Sequence, residues 1–156
     1  MKNILFVCLG NICRSSMAHG IMESELEKRG LSHINVDSAG TSNWHIGNPP
    51  DSRAIATAAQ IGVDISNQHA RQITPEDFNN FDLILAMDTD NFKDLQAMAP
   101  KNSTAELAMC LDFSSLNSGG NVPDPYYGGQ EGFNLLIGML EDACKGIADH
   151  ITNQQN

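Results

Sequence analysis

Ile4-Leu5-Phe6-Val7-Cys8-Leu9-Gly10-Asn11-Ile12-Cys13-Arg14-Ser15 passes from four apolar residues through a short polar loop to an arginine and a serine. The unbroken apolar run suits a strand of a parallel sheet, covered on both faces. Beyond the loop, Met17, Ala18, Ile21, Met22 and Leu26 share one helical face, Glu23, Glu27 and Lys28 face outward, and Gly30 supplies a stop. A short loop between a strand end and a helix start can turn successive N–H groups inward, forming an anion-binding nest. Gly10 and Asn11 tolerate the positive φ that such a curl demands. Arg14 adds a planar fork that grips two oxygens and keeps its charge at any physiological pH. An arginine at a helix N-terminus opposes the macrodipole by ~0.3–1 kcal/mol unless an anion lies between them. Cys8 lies beneath that anion, placed to act as a nucleophile toward it. The loop thus combines a phosphate cradle with a nucleophile.

The pattern repeats outward along the chain. Ile34 to Asp37 reads as a second strand, and Pro49-Pro50-Asp51-Ser52 opens a helix that runs to Gly62. Leu83 to Met87 is a buried third strand, Asp90 to Met98 a helix, and Ala105 to Leu111 a fourth strand. Phe133, Leu136, Ile137, Leu140, Cys144, Ile147 and Ile151 form one stripe of a C-terminal helix. Alternating strands and helices predict an α/β fold: one doubly wound domain with a four-stranded parallel sheet and helices on both faces. The domain spans 1–151, with 152–156 as a frayed polar tail. Residues 112–132, rich in Ser, Gly, Asn and Pro, are too long a connection to be mere linkage, and they carry Asp124.

With 156 residues, one domain can bury roughly two-thirds of its unfolded surface. The formal charge of −10, with no basic stripe, argues against nucleic acid or an anionic membrane as partner. No stretch approaches a membrane span or a signal peptide, so a cytoplasmic protein with four reduced thiols is expected. No metal is expected, because Cys8 and Cys13 are not a C-x-x-C pair and neither His19 nor His150 sits in a ligand cluster. Cys110 and Cys144 have apolar neighbours and read as core.

Val7 to Ser15 resembles the loop V-C-x-G-N-x-C-R-S of the low-molecular-weight protein tyrosine phosphatases. Asp37-Ser38-Ala39-Gly40-Thr41 and Asp124-Pro125-Tyr126-Tyr127 agree as well, so the resemblance covers essentially the whole chain. It implies hydrolysis of phosphotyrosine and aryl phosphates through a phosphocysteine, without cofactor or metal. Cys8 would be the nucleophile and Arg14 the phosphate clamp, with Leu9, Gly10, Asn11, Ile12, Cys13 and Ser15 around the phosphate. In-line attack by Cys8 leaves an oxygen that needs a proton, and the loop holds no acid. Asp124, stiffened by Pro125 in the long loop, is the candidate acid and then base, as the resemblance also implies; its plain reading is an aspartate in a turn. Ser15 can donate to the Cys8 sulfur or simply cap the helix. By resemblance Asn11, Ser38 and His69 form a network holding the loop, Asp88 matches more weakly still, and Trp44, Tyr126 and Tyr127 rim the pocket. A lone His69 is otherwise an ordinary surface residue. The resemblance further implies Cys13 as redox partner of Cys8, the two tyrosines as phosphorylation sites, phosphotyrosine proteins and a tyrosine kinase as partners, and a monomer or weak homodimer.

Three rivals share the loop. An arsenate reductase needs a distal pair of resolving cysteines, and none lies around Leu83 to Met98. Related phosphoarginine phosphatases carry threonine where this chain has Ile12. An inert phosphotyrosine-binding or redox-sensing module would not need the proton donor that Asp124 offers.

Overall fold

A computed structural model describes residues 1–116, 119–126 and 128–155. Four parallel strands, β1 (Asn3–Cys8), β2 (Asn35–Gly40), β3 (Leu83–Ala86) and β4 (Glu106–Met109), lie in the order β2-β1-β3-β4. The helices are α1 (Arg14–Lys28), α2 (Ser52–Gln60), α3 (Asp77–Asn80), α4 (Thr89–Met98) and α5 (Gln130–Gln155). From β1 the chain moves to one side for β2 and to the other for β3, so the topological switch lies at the carboxyl end of β1. Cys8 is the last residue of that strand.

Alternation along β1 builds two cores. Ile4 and Phe6 face α1 and α5, joining Met17, Met22, Phe133, Leu136 and Leu140. Leu5 and Val7 face the other way, with Ile84, Phe78 and Leu95. Each such side chain, fully buried, contributes ~1.5–3 kcal/mol. Covering on both faces explains why β1 and β3 read as continuous apolar runs. Among the described residues no helix is long and apolar enough to cross a membrane.

The larger differences from the sequence reading lie at β2, β4, α3 and α5. β2 continues past Asp37 through Ser38, Ala39 and Gly40, which are buried against the end of β1. β4 is short, because the chain tightens into a 3₁₀ turn at Cys110–Phe113, where Asp112 accepts from the Met109 N–H (3.1 Å). The four-residue α3 lacks a periodic signature and rests on burial of Phe78 and Asp77. Finally, α5 extends past Ile151 to Gln155; the Thr152 hydroxyl donates back to the Ala148 carbonyl (2.8 Å).

A matched pair of glycines on α5 tests the packing. A Cβ on Gly146 would overlap the Phe113 carbonyl, whereas one on Gly138 meets nothing within 4 Å. In urea denaturation, Gly146→Ala should lose about 1–3 kcal/mol through overpacking. Gly138→Ala should gain up to about 1 kcal/mol from helix propensity.

Candidate active site

The loop after β1 is held by hydrogen bonds that its own sequence supplies. Asn11 takes a positive φ of 58° and donates its N–H to the Cys8 sulfur (3.2 Å). Its side-chain amide donates to the Ser15 hydroxyl (2.8 Å), and its side-chain carbonyl accepts from the Arg71 N–H (3.1 Å). Ser15 Oγ lies 3.0 Å from Cys8 Sγ. With one lone pair of Ser15 occupied by Asn11, the hydroxyl proton is placed to donate to a thiolate. Gly40 matters here: a Cβ at that position would sit 2.7 Å from the Leu9 carbonyl, so β2 approaches the loop only as glycine. No side chain caps α1, which begins at Arg14, leaving its first N–H groups for an anion.

Arg14 is 3% exposed. Its NH1 donates to Asp88 Oδ2 (2.6 Å) and to the Val122 carbonyl (3.1 Å), and its NH2 lies 3.6 Å from Asp124 Oδ2. Burial works against the charge, but Cys8, Asp88 and Asp124 outweigh it and hold the guanidinium protonated. Asp88 also caps α4, accepting from the Asn91 N–H (2.8 Å). The sequence reading gave Asp88 little weight. Its signal was a carboxylate two residues past the end of a central parallel strand, at the switch point.

Asp124 is exposed and arrives from the long connection after β4. The segment is hung on the residue after β3 by the Val122 N–H, which donates to the Met87 carbonyl (2.8 Å). Asp124 Oδ1 accepts from the Tyr126 N–H (3.0 Å). Cys8, Arg14, Ile12, Asp124, Trp44 and Tyr126 all line one cleft of about 260 Å³, together with Leu9, Gly10 and Cys13. Trp44 is 69% exposed at its mouth. His45, which the sequence reading passed over, lines the cleft and packs edge-on to the Tyr126 ring (6.0 Å, 61°). Tyr127 lies outside the described residues.

One expectation needs correction. His69 is exposed and does not partner Ser38; the Ser38 hydroxyl instead meets Nδ1 of His19 (2.9 Å), on the buried side of α1. The segment around His69 reaches the loop through the Arg71 backbone. Cys13 is buried beside the loop, and burial, with Asp51 and Cys8 adding to it, pushes its thiol well above the ordinary range. A nest of N–H groups, a buried arginine, a thiol at its base and a carboxylate across the opening can together bind a tetrahedral anion, attack it and protonate what leaves.

Comparison with known proteins agrees with this geometry. Residues 3–156 match the family model described as low molecular weight phosphotyrosine protein phosphatase. A Drosophila melanogaster protein named low molecular weight phosphotyrosine protein phosphatase 1 is 42% identical over 145 residues, covering 92% of this chain and 93% of its own. The crystal structure of a protein tyrosine phosphatase from Entamoeba histolytica superposes with a TM-score of 0.94 at 36% identity, covering 100% of both chains. A solved Drosophila arginine phosphatase gives 0.89 at 33% identity, covering 97% of this chain and 98% of its own. The chain belongs to the low molecular weight phosphotyrosine protein phosphatase family.

Proposed function

We propose that this chain hydrolyses phosphotyrosine in proteins through a phosphocysteine formed on Cys8. The observation that carries the reading is the meeting of Cys8, Arg14 and Asp124 in one cleft with aromatic side chains at its mouth. The phosphate seats on the loop N–H groups with Arg14 across two of its oxygens. Cys8 Sγ attacks phosphorus in line, the bond from phosphorus to the phenolic oxygen breaks, and Asp124 delivers the proton that oxygen needs. Asp124, now a carboxylate, takes a proton from water as the water attacks the phosphocysteine. The sulfur leaves as thiolate, stabilised by the Ser15 hydroxyl 3.0 Å away.

The substrate class follows from the leaving group and the walls. A phenol, with a pKa of ~10, leaves more readily than an aliphatic alcohol. Tyr126, Trp44 and Ile12 offer flat and apolar surface to a ring. Phosphoarginine is the second reading, favoured by the likeness to the Drosophila arginine phosphatase. Ile12 in the cleft supports the aryl substrate over it. The partners in this reading are phosphotyrosine proteins and the kinase that modifies them. Four buried free thiols suit a reducing cytoplasm. The chain acts as a monomer or as a weak dimer through the exposed Trp44 and Ile46 of the rim.

Purified protein in excess chelator should turn over phosphotyrosine peptides well ahead of phosphoserine and phosphoarginine peptides, and Cys8→Ser should abolish turnover; preference for phosphoarginine would replace the substrate assignment. Asp124→Ala should lower kcat/KM for phenyl phosphate by roughly 10²–10⁴-fold and affect esters of acidic phenols far less.

Cys13, poor as a nucleophile while its thiol stays protonated, is proposed as the partner that traps oxidised Cys8 in a disulfide. Mild peroxide should abolish activity, with thiol restoring the parent fully and Cys13→Ser poorly. Equal recovery of the two would remove Cys13 from that role.

A further inference from the structure

The acid segment and the phosphate loop meet at Arg14, but a second connection between them runs through the start of α2. Asp51, the residue before that helix, donates its N–H to the Ile12 carbonyl (2.8 Å), which seats the helix end directly on the phosphate loop. Its carboxylate caps α2 by accepting the Arg53 N–H (2.8 Å), and it also grips the Arg53 guanidinium at Nε (3.0 Å) and NH2 (3.0 Å). The rest of the fork turns to the other loop. NH2 donates to the Tyr126 carbonyl (2.8 Å) and NH1 to the Gly128 carbonyl (2.9 Å). The guanidinium also lies 4.8 Å from the centre of the Phe133 ring, at the start of α5.

Four hydrogen bonds from one guanidinium therefore join two segments that lie 73 or more positions apart in the chain. The link continues to the acid through a single residue: Arg53 holds the Tyr126 carbonyl, and the Tyr126 N–H donates to Asp124 Oδ1 (3.0 Å). Asp124 has a 40% exposed side chain, and among the described residues its polar contacts are that N–H and Arg14. A carboxyl so lightly held takes its position from the backbone that carries it.

We propose that Arg53, clamped by Asp51, is a positioning residue for proton transfer: by holding the Tyr126 and Gly128 carbonyls it fixes the backbone beside Asp124 over the Cys8 loop, so that the Asp124 carboxyl stays within reach of the departing oxygen. The inference rests on the acid–base reading of Asp124. Arg53 is not among the residues that line the cleft; four of its five N–H donors go to Asp51 and to two backbone carbonyls. Lysine keeps the charge, but a single ammonium on a flexible stem cannot span a carboxylate and two carbonyls in the same fixed plane.

The experiment measures kcat/KM, which reports the step that forms the phosphocysteine, with phenyl phosphate as the poor leaving group and 2,4-dinitrophenyl phosphate as the good one. The proteins are the parent, Arg53→Met, Arg53→Lys, Asp124→Ala and the double variant Arg53→Met/Asp124→Ala. Arg53→Met keeps the apolar stem over Phe133 and should lower the phenyl phosphate value by about 10-fold or more, as loss of a catalytic group's alignment does, while changing the dinitrophenyl value by less than about 2-fold. Arg53→Lys should fall between parent and Arg53→Met. On the Asp124→Ala background, Arg53→Met should change the phenyl phosphate value by less than about 2-fold, since no acid remains to be positioned. Equal losses on both esters, or a loss that persists undiminished without Asp124, would overturn the positioning role and make Arg53 a support of the phosphate loop or of the fold. If Arg53→Met melts near the assay temperature, the selectivity of Arg53→Lys between the two esters decides in its place. An Asp124→Ala variant that loses both esters equally would overturn the acid reading itself, and the strut with it.

Discussion

A guanidinium buried to 3% exposure at the positive end of a helix is the constraint around which the rest of this molecule is arranged. An isolated charge in such a place costs several kcal/mol after relaxation, and the helix N-terminus adds repulsion. Arg14 is tolerable there only because negative groups surround it: Asp88 at 2.6 Å, the Val122 carbonyl, Asp124 at 3.6 Å and the Cys8 sulfur. Three of these come from sequence positions more than 70 residues away. The loop is thus finished by tertiary contacts, and a bound phosphate adds the anion that its N–H groups and Arg14 both face.

The topology delivers those contacts without long excursions. At the switch point, β1 ends in Cys8, β3 ends two residues before Asp88, and the segment bearing Val122 and Asp124 hydrogen-bonds to the residue after β3. Cys8 ends the central strand, whose residues from Ile4 onward are buried. The carboxylate rides on an exposed connection. That division suits the proposed chemistry, in which attack requires a sulfur held in line with phosphorus, whereas the acid must reach a leaving group whose bulk varies and then admit water.

How much of this the sequence disclosed depended on how local each signal was. The loop was legible because eight adjacent residues carry the strand end, the curl, the clamp and the helix start together. The parallel sheet was legible because Ile4 to Val7 and Leu83 to Ala86 are covered on both faces and lack alternation. That Asp124 would reach the cleft was legible because the loop itself lacks an acid and one long polar connection offers a carboxylate. The network behind the loop was not legible from chain position. His69 lies in the polar stretch before Arg71, yet Ser38 takes its partner from α1, where His19 is carried inward by helical phase. Asp88 carried little weight and the Asp51–Arg53 pair escaped for the same reason, because their meaning lies in which distant groups they hold. β2 was cut short because Asp37-Ser38 resembles a strand end, whereas its polar groups find partners beside the loop.

The net charge of −10 sharpens what the site must do. All four arginines are paired with carboxylates: Arg14 with Asp88, Arg29 with Glu25 and Asp149, Arg53 with Asp51, and Arg71 with Asp37 and Asp77. An acidic surface of this kind repels a phosphate at long range, but screening reduces that repulsion beyond ~8–10 Å. Within the cleft the balance reverses, because oriented N–H groups and a guanidinium act at contact distance in a partly desolvated place. The pairing of the arginines is therefore compatible with anion binding. A carboxylate such as Asp88 keeps Arg14 extended in one rotamer, and the energy that would otherwise go into ordering a long flexible side chain is already spent before the substrate arrives.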